Sequence, residues 1–318
     1  MNSAKHIKRL SLIGVLEVGC VFLALFSLAT FFDHLHWAIE LLTHFKLQYF
    51  FIALTLGVIF LIVKIKIYTY ISFCTVLINA VYLVPYYIKP NFEYPVAQGV
   101  EIKLLSFNVL SSNMQYSQLI QQVKQEDADI ILLQEVNNIW LYKLEPLQDV
   151  YKFQIKTPRH DNFGMAILSK FPIDDYKVHK WGQFNIPSIE AILQIEQLKV
   201  SVFASHPMPP VSKQLAKERN LHLHKIASRV KELTGPKIVL GDLNITQWSG
   251  YFNQLQKNTG LRNVRKGFGV IPTWPTHLYP LMIPIDHCLV SEHFQVIDVK
   301  SGANFGSDHL PLIIELAL

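Results

Sequence analysis

The chain has 318 residues, of which 50% are hydrophobic and only 17% charged, with three cysteines. A charged fraction well below the usual quarter excludes a disordered chain and argues against an ordinary soluble protein, and the positive mean hydropathy of +0.24 agrees. Three cysteines exclude a disulfide-built scaffold. Cys20 and Cys74 lie in apolar runs and Cys288 in a strand-like run, which predicts three buried free thiols. The net charge of +5 is uneven: residues 1–90 hold 7 Lys+Arg against 3 Asp+Glu, residues 91–318 hold 22 against 21. The near-neutral remainder counts against nucleic acid as a partner, because duplex affinity comes largely from phosphate neutralisation.

Three apolar runs fill the first 90 residues: Leu10–Phe32, broken only by Glu17, then Leu47–Val63 and Ile67–Ile88, both without charge. Each suits a helix crossing roughly 30 Å of hydrocarbon. Buried soluble helices are the bland alternative, and three runs in succession weigh against it. The first run has a second reading as a cleaved signal peptide, with Lys5, Lys8 and Arg9 as its basic start and Ser27 and Ala29 near a cleavage point. Its length and the two spans that follow favour a retained helix.

Lys5, Lys8 and Arg9 precede the first span, and Lys64 and Lys66 sit in the turn between the second and third. Lys46 and Lys89 fall on the other side. Positive charge concentrates on the cytoplasmic side. Three spans therefore predict a cytoplasmic N-terminus and a following domain facing the periplasm or exterior from an inner or plasma membrane. Glu17 reads either as a functional intramembrane acid or as a snorkelling one. Trp37, Ile39, Leu41, Leu42 and Phe45 in the 33–46 loop predict a helix lying in the interface. The expected organisation is a membrane region over 1–90, a linker over 91–100 rich in turn formers, and a catalytic domain over 101–318.

From residue 101 the pattern changes to short apolar runs: Ile102–Phe107, Ile130–Leu133, Met165–Leu168, Ala191–Ile195, Val200–Ala204, Ile238–Leu240, Ile285–Val290 and Leu312–Leu316. These predict buried strands. Ser117–Glu126 and Ser212–Leu233 read as helices, the second stopped by Thr234-Gly235-Pro236. A mixed α/β domain follows.

Polar residues end these strands. Asn108 follows LLSF, Glu135 follows ILLQ, His206 follows SVFAS, Asp242 and Asn244 follow KIVLG, Asp286 sits in IPIDHCLV, and Asp308 and His309 precede the last strand. Each alone is an ordinary cap or turn residue. Together, at strand ends that converge on one edge of a sheet, they are costly to hold without a task or an ion. Hard oxygen ligands without cysteine point to Mg²⁺, Mn²⁺ or Ca²⁺. Two histidines supply proton transfer near neutral pH. Metal with acid/base histidines suits hydrolysis of a phosphate ester.

At these residues the sequence resembles the endonuclease/exonuclease/phosphatase superfamily, as a membrane-anchored member of bacterial type. The matching pieces, in family order, are SFNVL (106–110), LLQEV (132–136), GMAILSKFPI (164–173), SHP (205–207), GDLN (241–244), PTWP (272–275) with IDHCLVS (285–291), and GSDHLPL (306–312). The resemblance covers most of 101–318 and none of 1–90. It implies a four-layer α/β sandwich with two packed mixed β-sheets of DNase I type, preceded here by the transmembrane helical region. It implies Glu135 as the principal metal carboxylate, with Asn108 and Asp308 beside it. Asp242 and Asn244 match residues that align the attacking water and hold the scissile phosphate or a second ion. His309 matches a histidine paired with a carboxylate, here Asp286. His206 matches a histidine that contacts the phosphate or protonates the leaving oxygen. The base is left open between Asp242 and the Asp286–His309 pair.

Arg159 is a candidate substrate contact, with a solvated loop as the alternative for it and for His160. His222 and His224 read as surface residues, and His287, next to Asp286 on a strand, points to the opposite side. The segment His277–Met282 reads as a loop facing substrate or membrane. The leading expectation is a membrane-anchored, divalent-metal-dependent phosphohydrolase acting on a lipid-linked phosphate. The alternatives are an extracytoplasmic nuclease, whose basic cluster would be Arg262, Arg265 and Lys266, and a non-catalytic scaffold, against which every matched position is retained.

Overall fold

The computed structural model describes residues 11–89 and 99–318. Lys5, Lys8 and Arg9, and most of the 91–100 linker, lie outside the described residues. The chain forms two compact units, one ending at Val84 and the other beginning at Pro85.

In the first unit, α1 (Leu12–Ala29), α2 (Trp37–Leu42), α3 (Lys46–Ile62) and α4 (Lys66–Leu83) make a bundle. Three stretches, Leu12–Phe32, Trp37–Ile62 and Lys66–Tyr86, are long and apolar enough to cross a membrane. The second begins ahead of its expected start at residue 47. A single 3-10 turn, Thr43–Phe45, joins α2 to α3, so the Trp37–Phe45 segment leads into the second long helix instead of standing as a separate interfacial one. Lys46, expected in a loop, is fully buried. Its ammonium donates to Thr30 Oγ1 at 2.5 Å and sits 4.1 Å from the Tyr82 ring centroid. Cys20 and Ser72 meet at 3.2 Å, and Asn79 Nδ2 donates to Ser27 Oγ at 3.0 Å. Small polar residues thus tie the helices together, the pattern by which helices associate in apolar surroundings. Cys74, expected to be buried, is exposed. The inner face of α4 is taken by Thr69, Ser72, Thr75 and Asn79, and Cys74 falls off that stripe.

The second unit runs β1 (Glu101–Asn108), α5 (Tyr116–Glu126), β2 (Ile130–Gln134), α6 (Asn138–Lys143), β3 (Phe153–Thr157), β4 (Met165–Ser169), β5 (Ile173–Trp181), β6 (Ile186–Ile195), β7 (Leu198–Ser205), α7 (Lys213–Glu232), β8 (Lys237–Asp242), α8 (Gly250–Thr259), β9 (Arg262–Asn263), β10 (Asp286–Val290), β11 (Gln295–Ser301) and β12 (Leu312–Ala317). They form two six-stranded sheets, ordered β11-β12-β1-β2-β4-β3 and β5-β6-β7-β8-β10-β9. Both are mixed: β1 and β2 run parallel, as do β7 and β8, and the other named pairs are antiparallel.

Side-chain alternation on the strands builds the layers. Leu104 on β1, Leu132 on β2, Val202 on β7, Leu240 on β8 and Cys288 on β10 share one core between the sheets. Their strand neighbours Leu105 and Leu133 pack against Val123 of α5 and Trp140 of α6, while Phe203, Val239 and Leu289 pack beneath α7 and α8. Helices, sheet, sheet, helices make four layers around an apolar centre, whose burial supplies the main favourable term in folding.

Candidate active site

Counting on by two from the inward-facing core residues reaches Asn108 on β1, Gln134 on β2, His206 after β7, Asp242 on β8 and Asp286 on β10. Alternation therefore aims all five into the gap between the sheets at one end. Glu135, just past β2, has a positive φ of 61°, a backbone setting that non-glycine residues adopt rarely and that gathers at functional sites. Asn244 has φ 51°, which its short amide tolerates.

These residues meet. Asn108 Nδ2 donates to Glu135 Oε1 at 3.0 Å and lies 3.5 Å from both Asp242 Oδ2 and His309 Nε2. The Ser111 amide donates to Glu135 Oε2 at 3.2 Å. Asp242 Oδ2 stands 3.4 Å from His206 Nε2 and 3.6 Å from His309 Nε2. His309 Nδ1 lies 2.9 Å from Asp286 Oδ2. The Asn244 amide donates to Asp242 Oδ1 at 2.8 Å, and its side chain donates to the Pro207 carbonyl at 3.0 Å. Trp274 Nε1 donates to Asp308 Oδ2 at 2.9 Å. Ser307 Oγ donates to the Asn108 carbonyl and accepts from the His309 amide, which ties the last loop to β1.

Electrostatics follow from burial and neighbours. Burial works against a charged His309, but Asp286 first, then Asp242 and Asp308, outweigh it and raise its pKa to about 9. Burial would raise Asp286, yet the His309 imidazolium holds it below the usual carboxylate range. His206 is likewise raised, since Asp242 and Glu135 overcome its burial.

Glu135, Asp242, Asp308, His206 and His309 line one cavity of about 470 Å³, together with Asn244 and an apolar wall of Phe163, Met208, Pro209, Trp274 and Ile285. The donor set fits a hard divalent cation. Carboxylates outnumber imidazoles, and the buried Asp308 Oδ1 has no hydrogen-bond partner among the described residues. Asp242, Asp286 and His309 bring ligand atoms within 4.8 Å of one another. That trio differs from the expected Asn108, Glu135 and Asp308, and two of its members are already bonded to each other. Glu135 and Asp308 remain on the cavity wall.

Arg159 is placed differently from the rest. Its guanidinium grips Asp161 at 2.7 and 2.8 Å and donates to the Asn185 carbonyl at 3.3 Å. It lines an adjoining cavity of about 400 Å³ with Lys180, Val178 and Pro187. His160 is exposed. His222 corrects a sequence expectation: it is buried, because α7 turns Arg219, His222 and Ile226 onto the sheet. It meets Ser188 Oγ at 2.7 Å, and burial together with His206 lowers its pKa to about 3. His224 is exposed as expected. His287 faces away from the site and meets the Ile245 carbonyl at 2.7 Å.

Sequence reasoning missed Gln134, Ser307 and Phe163. The sequence shows Gln134 only as an amide ending an apolar run, a polar group in need of partners that it does not name.

A pair of packed mixed sheets with a carboxylate–imidazole cluster at their shared end defines a DNase I-like α/β protein. The profile of the Endonuclease/Exonuclease/phosphatase family matches residues 105–309, and the chain belongs to that family. Members are generally phosphoester hydrolases. Solved structures with this fold include a humanised D. rerio TDP2, at 14% identity and TM-score 0.58 over 69% of this chain and 99% of that one. An endonuclease/exonuclease/phosphatase from Beutenbergia cavernae shows 17% identity and TM-score 0.58 over 69% of this chain and 72% of that one. One from Bacteroides vulgatus shows 18% identity and TM-score 0.58 over 69% and 99%. No curated protein matches the chain.

Proposed function

We propose that this chain is a membrane-anchored, divalent-metal-dependent phosphohydrolase whose site faces away from the cytoplasm and takes a lipid-linked phosphate ester. The carrying observation is the cavity itself, where carboxylates and two histidines face a wall of Phe163, Met208, Pro209, Trp274 and Ile285. The segments beside that wall are uncharged: residues 205–212 and 267–285 contain no Asp, Glu, Lys or Arg. They expose Val211, Leu278, Tyr279 and Leu281 to solvent. A polar centre beside apolar loops suits a substrate with a charged head and an apolar body. The three apolar helices and the excess of lysine and arginine ahead of the first and between the second and third support the anchor and the orientation.

Glu135 and Asp308, with Asn108 behind them, would hold the ion, for which Mg²⁺ is the leading choice and Mn²⁺ or Ca²⁺ the others. An ion held there would supply positive charge against the negative charge that develops on the phosphate. Asp242, held by the Asn244 amide, is placed to orient or deprotonate the attacking water. Asp286 fixes the tautomer and ring plane of His309, leaving Nε2 toward the cavity. A charged His309 or His206 stabilises the phosphate oxygens, and His206 is placed to protonate the leaving oxygen.

The nuclease reading is favoured only by the fold it shares with a D. rerio TDP2 complexed with single-strand DNA product. Against it, each arginine after residue 100 is committed within the fold. Arg159 grips Asp161, Arg219 donates to the Asn244 carbonyl, and Arg229 grips Glu190. Arg262 donates to the Phe294 carbonyl, and Arg265 is fully buried. Of the basic cluster read from the sequence only Lys266 is exposed, which counts against that cluster as a surface for phosphates. The deciding experiment is a substrate panel for the full chain in detergent, with Mg²⁺ or chelator: lipid phosphates, sphingomyelin, inositol phosphates, DNA and RNA. Turnover of nucleic acid ahead of every lipid phosphate would overturn the reading.

A further inference from the structure

We propose that Gln134 is a positioning residue of this site, a strut that fixes one sheet against the other where the site is built. This rests on the reading of the site as a phosphohydrolase centre. Gln134 ends β2 in the first sheet. Its Oε1 accepts from the Asp242 amide at 3.1 Å, and its Nε2 donates to the Ser205 carbonyl at 3.3 Å. Both partners belong to the second sheet, on the neighbouring strands β8 and β7. One partner is Asp242 itself, and the other immediately precedes His206. The next residue along β2's own chain is Glu135. One carboxamide thus links the backbone positions that carry three of the cavity's polar side chains.

Elsewhere the gap between the sheets is filled by apolar side chains. Apolar burial is non-directional and tolerates sliding. Two hydrogen bonds of opposite sense do not. The carboxamide offers an acceptor to Asp242 and a donor to Ser205 from one planar group. A carboxylate would face the Ser205 carbonyl with a second acceptor, and a methionine of similar length offers neither bond. Gly241 makes room for this contact: its φ is 137°, and a Cβ there would lie 2.1 Å from the Ser205 carbonyl oxygen and 3.1 Å from Gln134 Nε2. Gln134 is wholly buried and does not line the cavity, so it touches no substrate. It acts through Asp242, His206 and Glu135.

The test uses the full chain in detergent, with Gln134→Met, Gln134→Asn as a shorter amide that cannot span both partners, and Gly241→Ala. Each is expected to lower kcat by about a hundredfold, the scale of an ångström-sized misplacement of catalytic groups. KM is expected to stay within about threefold, since the apolar wall of Phe163, Met208, Pro209, Trp274 and Ile285 that would meet the body of the substrate is not bonded to the strut. Hydrogen exchange at the Asp242 amide is expected to rise by about tenfold or more in Gln134→Met, a readout that needs no turnover. Should Gln134→Met not fold, Gln134→Asn carries both readouts. Unchanged kcat in folded variants, or an Asp242 amide that exchanges as in the wild type, would overturn the strut. A wild-type chain inert toward every phosphate ester would instead overturn the functional reading, and the exchange measurement would still judge the strut.

Discussion

Asp286 Oδ2 and His309 Nδ1 lie 2.9 Å apart, and both side chains are buried. The carboxylate comes from the first residue of β10 and the imidazole from the loop before β12, so the bond joins one sheet to the other. A carboxylate in this position fixes the imidazole's tautomer and favours its protonated form. Asp286→Asn and His309→Ala are each expected to lower turnover by at least about a hundredfold. The double variant should lose little more than the worse single, because the pair acts as a unit. Rate losses that multiply in full would refute the pairing. Small losses accompanied by lower Tm would assign both residues to packing.

Glu135→Gln is expected to abolish divalent-dependent turnover with little loss of stability. The carboxylate accepts from Asn108 and the Ser111 amide, and a carboxamide can keep one of those bonds while losing the charge an ion requires. Turnover that persists in this variant, or in chelator, would sink the metal assignment.

How far the fold was legible depended on where a strand sits. The eight apolar runs correspond to β1, β2, β4, β6, β7, β8, β10 and β12, all interior strands of their sheets. The four strands without a matching run, β3, β5, β9 and β11, are the four edges. Edge strands carry solvated and charged side chains, as Lys156, Asp174, Asp175, Lys177, Lys180 and Asp298 do here, so an apolar-run criterion passes over them. The gathering of Asn108, Glu135, Asp242 and His309 was legible because each follows or precedes an interior strand. Gln134 was not, because its partners are backbone groups of the other sheet, and nothing local in the sequence states how two sheets register. His222 was misread for a related reason: what a helix faces is set by packing, and a charged helix offers only a weak stripe.

A reporter fused after residue 95 is expected to be active only on the non-cytoplasmic side. Lys46, counted on that side in the sequence, is buried and bonded to Thr30 within the bundle, which leaves Lys89 as the exposed lysine there and strengthens the asymmetry. A reporter that works only in the cytoplasm would overturn the topology and the substrate reasoning with it.

Glu190 offers a pH test of the fold away from the cavity. Arg229 grips it at 2.7 Å through two nitrogens, and His179 Nε2 lies 2.8 Å away. Burial would raise this carboxyl, but Arg229 and then His179 outweigh it and hold its pKa below the ordinary value. The folded pKa lies below the unfolded one, so the stabilisation is present above the unfolded pKa and is lost as pH falls through the folded one. Glu190→Gln should therefore lower Tm at neutral pH and flatten its fall between about pH 5 and 3. An acid limb as steep as the wild type's would remove Glu190 from the account of acid unfolding.

The apolar loop beside the cavity gives the sharpest test of the substrate class. The 3-10 segment Thr276–Leu281 is pinned at its start, where the Thr276 amide donates to the Asp308 carbonyl at 2.9 Å and its hydroxyl donates to the Ser307 carbonyl. Beyond that anchor Leu278, Tyr279 and Leu281 project into solvent, Tyr279 at 80% exposure. Nothing in the core needs them, so charges there should be tolerated by the fold. If they meet the apolar part of a lipid substrate, Leu278→Glu, Tyr279→Glu and Leu281→Glu together should lower turnover of a lipid phosphate in vesicles by about tenfold or more, because each buried apolar side chain contributes roughly 1.5–3 kcal/mol. Hydrolysis of a small water-soluble phosphodiester, which needs only the polar centre, should stay within about twofold, since the loop would contribute no binding to it. Equal loss on both substrates would show that the loop supports the site instead of reading the lipid. No loss on either would leave the apolar face without a part in substrate choice and turn the argument back toward a soluble phosphate ester.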